Sequence, residues 1–322
     1  MTQKKKLSNR LLALIISISA VAVILSAILM MNIFIPLKYL SAYINFCTDK
    51  PQSGEMRISF IDVGYGDCTL IELPDGKVAL IDGGNGSYAS QIKILKTLNS
   101  PKIDKIDYLF CTSSVTKRCG GLAEIVRYKG ADKIYAPIYK NTEVTQAYRN
   151  FRHEVENKNQ DINECAYGPV FSSEEYGYYF NILYPYQKFS ESEHDEVYSP
   201  AILISYGGVS VLLMGDLTTS DLLDMISYYK ISKFEMQGHY INFEHCNVVK
   251  VANCGNKSGK CAQFYDLIQA ETAIISTAGE PDLAVLSDVG NFAGDNIYRT
   301  DKNGTVTLSI TNGSYTVKKE RE

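Results

Sequence analysis

Carboxylates set beside glycines mark this chain at three places: Asp62-Val-Gly64-Tyr-Gly66-Asp67, Asp82-Gly83-Gly84 and Gly215-Asp216. Each follows an apolar run that reads as a strand, so each carboxylate belongs on a loop at a strand end. Two chemistries suit such loops. Carboxylates together with imidazoles hold a metal ion, which lowers the pKa of bound water to about 7 and polarises a scissile bond. Alternatively, the carboxylates hold loop amides in place while the glycines permit tight turns and close approach of neighbouring loops. Metal chemistry would need histidines near these loops. The segment Phe110-Cys-Thr-Ser-Ser-Val-Thr-Lys-Arg-Cys-Gly-Gly-Leu122 has none, and Asn253-Cys254 offers only an amide and one thiol. The four histidines, His153, His194, His239 and His245, lie elsewhere and read as surface or loop residues. Gly64-x-Gly66 is not a dinucleotide loop, because a third glycine and a following helix are missing.

The elements that must carry these loops follow from hydrophobic pattern. Met56 to Val63, Cys68 to Leu73 and Val78 to Ile81 read as a strand meander, with Pro74-Asp75-Gly76 as a turn. Helical spacing over Ser90 to Leu98 and a buried strand over Ile106 to Cys111 complete a β-α-β unit. Asp132 to Tyr179 is polar, tyrosine-rich and weakly periodic, and is assigned to helices and loops apart from alternation near Lys133 to Pro137. Gly207-Gly208 joins strands Ala201 to Tyr206 and Val209 to Met214. Helices are expected over Leu222 to Tyr229 and Ala262 to Gln269, strands over Val248 to Ala252 and Ala273 to Ser276, and a terminal hairpin turns at Asn312-Gly313. Pattern alone gives an α/β or α+β class.

In order along the chain, Phe60 to Asp67, Leu73 to Gly84, Phe110 to Leu122, Leu212 to Asp216 and Val248 to Gly255 resemble the metallo-β-lactamase-like domain at the C-terminal end of ComEC-type DNA-uptake proteins. The resemblance runs from about Arg57 to Val317. It implies an αββα sandwich, two mixed sheets face to face with helices outside. In that family the third motif reads Thr-His-x-His/Asp-x-Asp-His-x-Gly-Gly and the last Val-x-His-His-Gly. In the register set by Thr112 and Gly120-Gly121, the ligand positions are occupied here by Ser113, Val115, Lys117 and Arg118, and the paired-histidine position by Asn253 and Cys254. Asp216 alone matches the family's ligand set. Asp62, Asp67, Asp82, Gly83 and Gly84 match its supporting residues, which implies that the fold is kept for its shape.

Two expectations follow for this centre. A buried Asp216 without metal needs a cation, and Lys117 or Arg118 would supply it across the facing loops, unless both basic side chains point to solvent. A Cys119–Cys254 disulfide would be a covalent staple there, although a packed thiol at Cys119 is the commoner outcome.

From Leu11 to Leu37 there is no charge, enough to cross a hydrocarbon core of about 30 Å and longer than the apolar part of a cleaved signal peptide. The expected organisation is a basic tail over 1–10, a transmembrane anchor over 11–37, a linker over 38–55 and one folded domain over 56–322. Lys4, Lys5, Lys6 and Arg10 precede the span, which puts the N-terminus in the cytoplasm, the chain single-pass in the cell membrane, and the domain outside. The net charge is −4, and the tail holds four basic residues and no acid, so the rest carries −8. Such acidity disfavours nucleic acid as the default partner. The eight cysteines all follow the span, in a disulfide-permissive compartment if the topology holds, and none is spaced as Cys-x-x-Cys. Cys68 and Cys111 read as small buried hydrophobes.

The leading function is therefore a membrane-anchored, metal-free, catalytically inactive module that binds or scaffolds an unknown protein partner. The alternatives are a divergent zinc- or manganese-dependent hydrolase of phosphodiesterase or nuclease type, or a phosphate-binding relic linked to DNA uptake in which Lys117, Arg118, Lys257 and Lys260 gather the anion.

Overall fold

The computed structural model describes residues 2–34, 37–44, 50–99, 103–137, 139, 143–186, 199–231, 235–236, 239–240 and 244–322. His194 and Cys47 fall outside them. The chain divides into two compact units, Met1–Asn45 and Phe46–Glu322. In the first, helix α1 (Thr2–Phe34) contains Leu11–Met30, 20 residues of mean hydropathy 2.8. At 1.5 Å per residue that stretch is about 30 Å long, enough to cross a membrane. A 3₁₀ turn, Leu37–Tyr39, and a short helix α2 (Leu40–Ile44) follow.

The second unit opens with Glu55, which is buried and accepts a hydrogen bond from the Gln52 amide and another from Ser309. The folded part therefore begins a few residues inside the stretch read as linker. β1 (Met56–Phe60), β2 (Thr69–Glu72) and β3 (Val78–Ile81) form the expected antiparallel meander. α3 (Tyr88–Asn99) returns the chain to β4 (Ile106–Phe110), parallel to β3. α4 (Thr116–Cys119) and α5 (Leu122–Tyr128) precede β5 (Ala131–Ala136), and α6 (Gln146–Asn157) precedes β6 (Ile162–Glu164).

β6 and β7 (Gly168–Ser173) are strands within Asp132–Tyr179, where helices and loops were expected, and β8 (Tyr178–Tyr184) starts at the end of that stretch. The tyrosine-rich sequence gives no clean alternation because β8 is buried on both faces and the β7–β8 register shifts between Pro169 and Phe171. β9 (Ala201–Tyr206) and β10 (Val209–Leu213) form the Gly207-Gly208 hairpin. α7 (Thr219–Ile231), a two-stranded ribbon of β11 (Glu235–Met236) and β12 (His239–Tyr240), and β13 (Val248–Lys250) come next. The chain ends with α8 (Ala262–Ile268), β14 (Thr272–Ile275), α9 (Leu283–Ala293), β15 (Ile297–Arg299), α10 (Thr300–Asn303) and the hairpin β16 (Val306–Thr311) and β17 (Ser314–Lys319).

Eight strands in the order β17-β16-β1-β2-β3-β4-β5-β6 make one sheet, and seven in the order β15-β14-β13-β10-β9-β8-β7 make the other. Ile58, Phe60, Phe110, Phe180, Ile204, Val211 and Leu308 belong to the core between them. Ile94, Leu122, Val126 and Phe151 from α3, α5 and α6 cover the outer face of the first sheet, and Leu222, Phe264 and Val285 from α7, α8 and α9 cover that of the second. The result is a four-layer αββα sandwich. Burial of apolar surface on four faces, at about 25 cal/mol per Å², is what holds it.

Candidate functional site

β1, β3 and β4 run the same way in the first sheet, as do β10 and β13 in the second. The loops after all five therefore emerge at carboxyl ends, and they meet at one edge of the sandwich. Backbone bonds knit the first three: Asp67 N to Lys117 O at 3.1 Å, Gly83 N to Arg118 O at 2.7 Å, Gly84 N to Asp67 O at 2.8 Å and Gly121 N to Gly83 O at 3.1 Å. The glycines are required here by close approach. A Cβ on Gly121 would lie 2.4 Å from Gly83 O, and one on Gly66 2.4 Å from Lys117 O. This mesh fixes the four-residue helix α4, which presents Lys117 and Arg118 to the centre.

Arg118 is 1% exposed. Its Nη1 pairs with Asp67 Oδ2 and lies 3.4 Å from Asp82 Oδ2, while Nη2 is 2.7 Å from Asp216 Oδ1. Lys117 Nζ is 2.6 Å from the same Asp216 oxygen and 2.7 Å from Asn253 Oδ1. Both basic residues therefore meet Asp216, where one pairing was expected, and neither points free into solvent. Lys250, the last residue of β13, adds a third cation, with Nζ 2.5 Å from Asp67 Oδ1. That contact is an ion pair angled too poorly for a hydrogen bond. Three cations thus face three carboxylates, and the cluster is formally neutral.

The local backbone explains the aim of each group. Asp82 sits at φ 64°, a left-handed conformation that turns its carboxylate to accept from Thr112 N and Thr112 Oγ1, both at 2.7 Å. Asn253 and Cys254 are also left-handed, at φ 49° and 56°. Asn253 N bonds Gly215 O at 2.8 Å, which ties the fifth loop to the fourth. Cys254 Sγ faces Asp67 Oδ2 at 3.9 Å. Tyr65 lies over the cluster's outer side, its ring centroid 5.6 Å from Lys117 Nζ and its hydroxyl accepting from Asn256 Nδ2 at 2.7 Å.

Burial alone would raise the Asp216 carboxyl, but Arg118 and Lys117 hold it down at about 2. The Asp82 carboxyl goes the other way, pushed up to about 8 by burial and by repulsion from Asp216 against the Thr112 bonds. Burial and the nearby Arg118 pull the Lys250 ammonium down to about 7 despite its carboxylate neighbour. For Lys117 and Arg118, burial opposes charge, yet Asp216 outweighs it and both are raised.

Several residues singled out in the sequence stand aside. Asp62 accepts from the Gly64 amide at 3.3 Å and from Arg321 at 2.9 Å, bracing the C-terminal tail. Ser113 Oγ bonds Val115 N at 3.4 Å, and Val115 serves through its carbonyl, which accepts from Arg118 N and Cys119 N. The Cys119–Cys254 staple is not present. Both are free thiols; Cys119 faces Ser114 O and Val115 O rather than the ion cluster. His153 and His245 are exposed. Lys250 was missed, although a lone lysine inside Val248-Val-Lys-Val-Ala252 carries a signal: a parallel strand buried on both faces must give its lysine a partner.

The residues do not fit a divalent cation. Each carboxylate of the centre already has a basic side chain within ion-pair distance, and like charges at such separations repel strongly in a buried site. Among the described residues, no group of three or more His, Cys, Asp or Glu side chains is arranged to hold a metal.

No family model matches the chain. Over 292 residues, 82% of its length, it is 24% identical to ComE operon protein 3 of Bacillus subtilis, of which it spans 34%. This similarity agrees with the two-sheet architecture. The chain has a metallo-β-lactamase-like fold and is related to ComE operon protein 3. Solved structures similar to this metallo-β-lactamase-like chain include YhfI from Bacillus subtilis, a metallo-β-lactamase fold protein (10% identity, 82% of this chain and 100% of that one, TM-score 0.46). Another is CmlA, a diiron β-hydroxylase from Streptomyces venezuelae (12% identity, 81% of this chain and 55% of that one, TM-score 0.43). At these identities nothing about activity transfers.

Proposed function

We propose that this metallo-β-lactamase-like protein is a membrane-anchored, metal-free and catalytically inactive module that binds or scaffolds a partner on the outer side of the cell membrane. The observation that carries the reading is Arg118: its guanidinium lies among Asp67, Asp82 and Asp216, where a metal ion would have to sit. Hydrolysis by this fold would need metal-bound water, and a buried guanidinium cannot act as a ligand. Ser113, Val115, Lys117, Arg118, Asn253 and Cys254 are accordingly read as former ligand positions, with Asp216 retained. The apolar stretch of α1 and the basic residues before it support the anchor and its orientation. A phosphate-binding relic is less well supported, since Lys117 and Arg118 are already neutralised by carboxylates.

The test is elemental analysis of the full chain, produced with zinc and manganese supplied, purified in detergent and dialysed without chelator. Less than a stoichiometric trace supports the reading. One or two bound equivalents would overturn it and restore the hydrolase.

A further inference from the structure

Cys111 and Cys119 flank the loop that carries the cations. Cys111 directly follows β4, and Cys119 ends α4. Their side chains turn toward the same stretch of loop backbone: Cys111 Sγ lies 3.2 Å from Ser113 O, and Cys119 Sγ lies 3.4 Å from Ser114 O and 3.3 Å from Val115 O. The two thiols lie near enough for each to act on the other's acidity. Both are fully buried, among the residues packed under α5 and α6. Among the other described cysteines, Cys254 faces Asp67, Cys246 faces Ser210 O and Val248 O, and Cys165 lies near enough to Cys111 to act on it electrostatically.

We propose that Cys111 and Cys119 are a dithiol site that forms an intramolecular disulfide, locking the loop that inserts Lys117 and Arg118 into the carboxylates. The contact with Cys111 favours the thiolate of Cys119, whereas burial disfavours that of Cys111, so Cys119 is the first nucleophile. The oxidant is a small-molecule or protein disulfide. The Cys119 thiolate attacks one of its sulfurs, and a mixed disulfide forms as one thiolate leaves. Cys111 then gives up its proton and attacks the Cys119 sulfur, expelling the second thiolate. The two protons and two electrons of the cysteine pair finish on the two thiols of the reduced carrier.

The bridge deepens the proposed function, because its presence in the cell rests on the outward orientation, in an oxidising compartment. Without it, α4 is held by non-covalent contacts: the backbone mesh, the ion pairs, the Lys117–Asn253 hydrogen bond and the packing of Cys119. With it, the segment from Cys111 to Cys119 becomes a closed ring around the loop whose side chains fill the centre. Burial of both sulfurs means that exchange requires the loop to open, so oxidation accompanies folding or slow local opening.

The experiment uses the full chain in detergent, equilibrated for days in glutathione buffers from reducing to oxidising, then acid-quenched, alkylated and digested with trypsin. Cleavage after Lys117 and Arg118 separates the two cysteines, so a bridge appears as two joined peptides. The expected result is a Cys111–Cys119 cross-linked pair in oxidising buffer, absent from Cys111→Ser and Cys119→Ser, with an unfolding midpoint that falls by about 5 °C on reduction. Free thiols at both positions in oxidising buffer, in the absence and presence of mild urea that opens the loop, would overturn the pairing. So would a bridge from Cys119 to a different cysteine. Acid-trapping in cells tests the orientation separately: a bridge that forms in vitro but is reduced in freshly quenched cells overturns the outward topology and leaves the pairing standing.

Discussion

Arg118 Nη2 lies 2.7 Å from Asp216 Oδ1, and this contact ties the loop after β4 in one sheet to the loop after β10 in the other. The same guanidinium also meets the buried Asp67 and Asp82, so it pairs with all three carboxylates of the centre. Arg118→Met is therefore expected to destabilise the folded unit by about 3–5 kcal/mol, the usual cost of stranding buried charge. Combining it with Asp216→Asn should cost less than the sum of the two single changes, with a coupling of about 0.5–3 kcal/mol. Denaturant unfolding of the four proteins measures both quantities, and additive losses would show that the pair is not coupled.

Lys117 shares Asp216 with Arg118 and has a second acceptor in Asn253. Its side chain is 17% exposed against 2% for Arg118. Lys117→Met leaves Asp216 still paired, so a loss of only about 1–2 kcal/mol is expected. A loss matching that of Arg118→Met would mean that the two cations are equivalent.

Lys250 is a cation of a different kind. Burial draws its ammonium down to about 7, so near neutrality it is only about half protonated. Lys250→Met, which keeps the apolar stem, should change stability by less than about 1 kcal/mol at neutral pH. A loss as large as that of Arg118→Met would show Lys250 to be a fixed cation.

Acid should expose the Asp216 pair. Its carboxyl is held at about 2, below the ordinary 3.8 that the unfolded chain would show. The unfolded state then binds the proton first as pH falls. The stabilisation is complete above pH 3.8 and is lost as pH drops through about 2. About 2 kcal/mol is involved, at roughly 1.4 kcal/mol per unit. Wild type minus Asp216→Asn, followed by unfolding between pH 5 and pH 1.5, should show that slope; parallel curves would remove the carboxylate from the account.

Gly121 has an ordinary φ of −98°, so alanine there would be strained only by contact. Its added methyl would sit 2.4 Å from Gly83 O. Gly121→Ala is expected to lower stability by at least about 2 kcal/mol. Gly130→Ala, at φ 69° with open space around it, carries backbone strain without a clash and should cost about 1 kcal/mol. Comparable unfolding midpoints for the two would count against the loop mesh.

Local pattern made much of the scaffold legible. The meander up to Ile81, the Gly207-Gly208 hairpin and helices α3, α7 and α8 lie within a few residues of their sequence boundaries, because period and turn residues act over short distances. β7 and β8 were lost to the same reasoning, since β8 is buried on both faces and has no polar beat to read, and β7 shifts register against it between Pro169 and Phe171.

At the centre, the sequence by itself put Lys117 and Arg118 on one loop and left Asp216, at the end of another strand, in need of a cation. Only the tertiary structure decided the pairing. Arg118 reaches three carboxylates because loops separated by 36 to 98 positions converge at one edge, and Lys250 joins because β13 lies beside β10. Cys119 turns to Cys111 rather than Cys254, because α4 has a face directed at the helices and a face directed at the charges, and residues one step apart on so short a helix cannot share one. Charge demands a partner whatever the fold, but which partner it finds is a matter of distances that no stretch of chain contains.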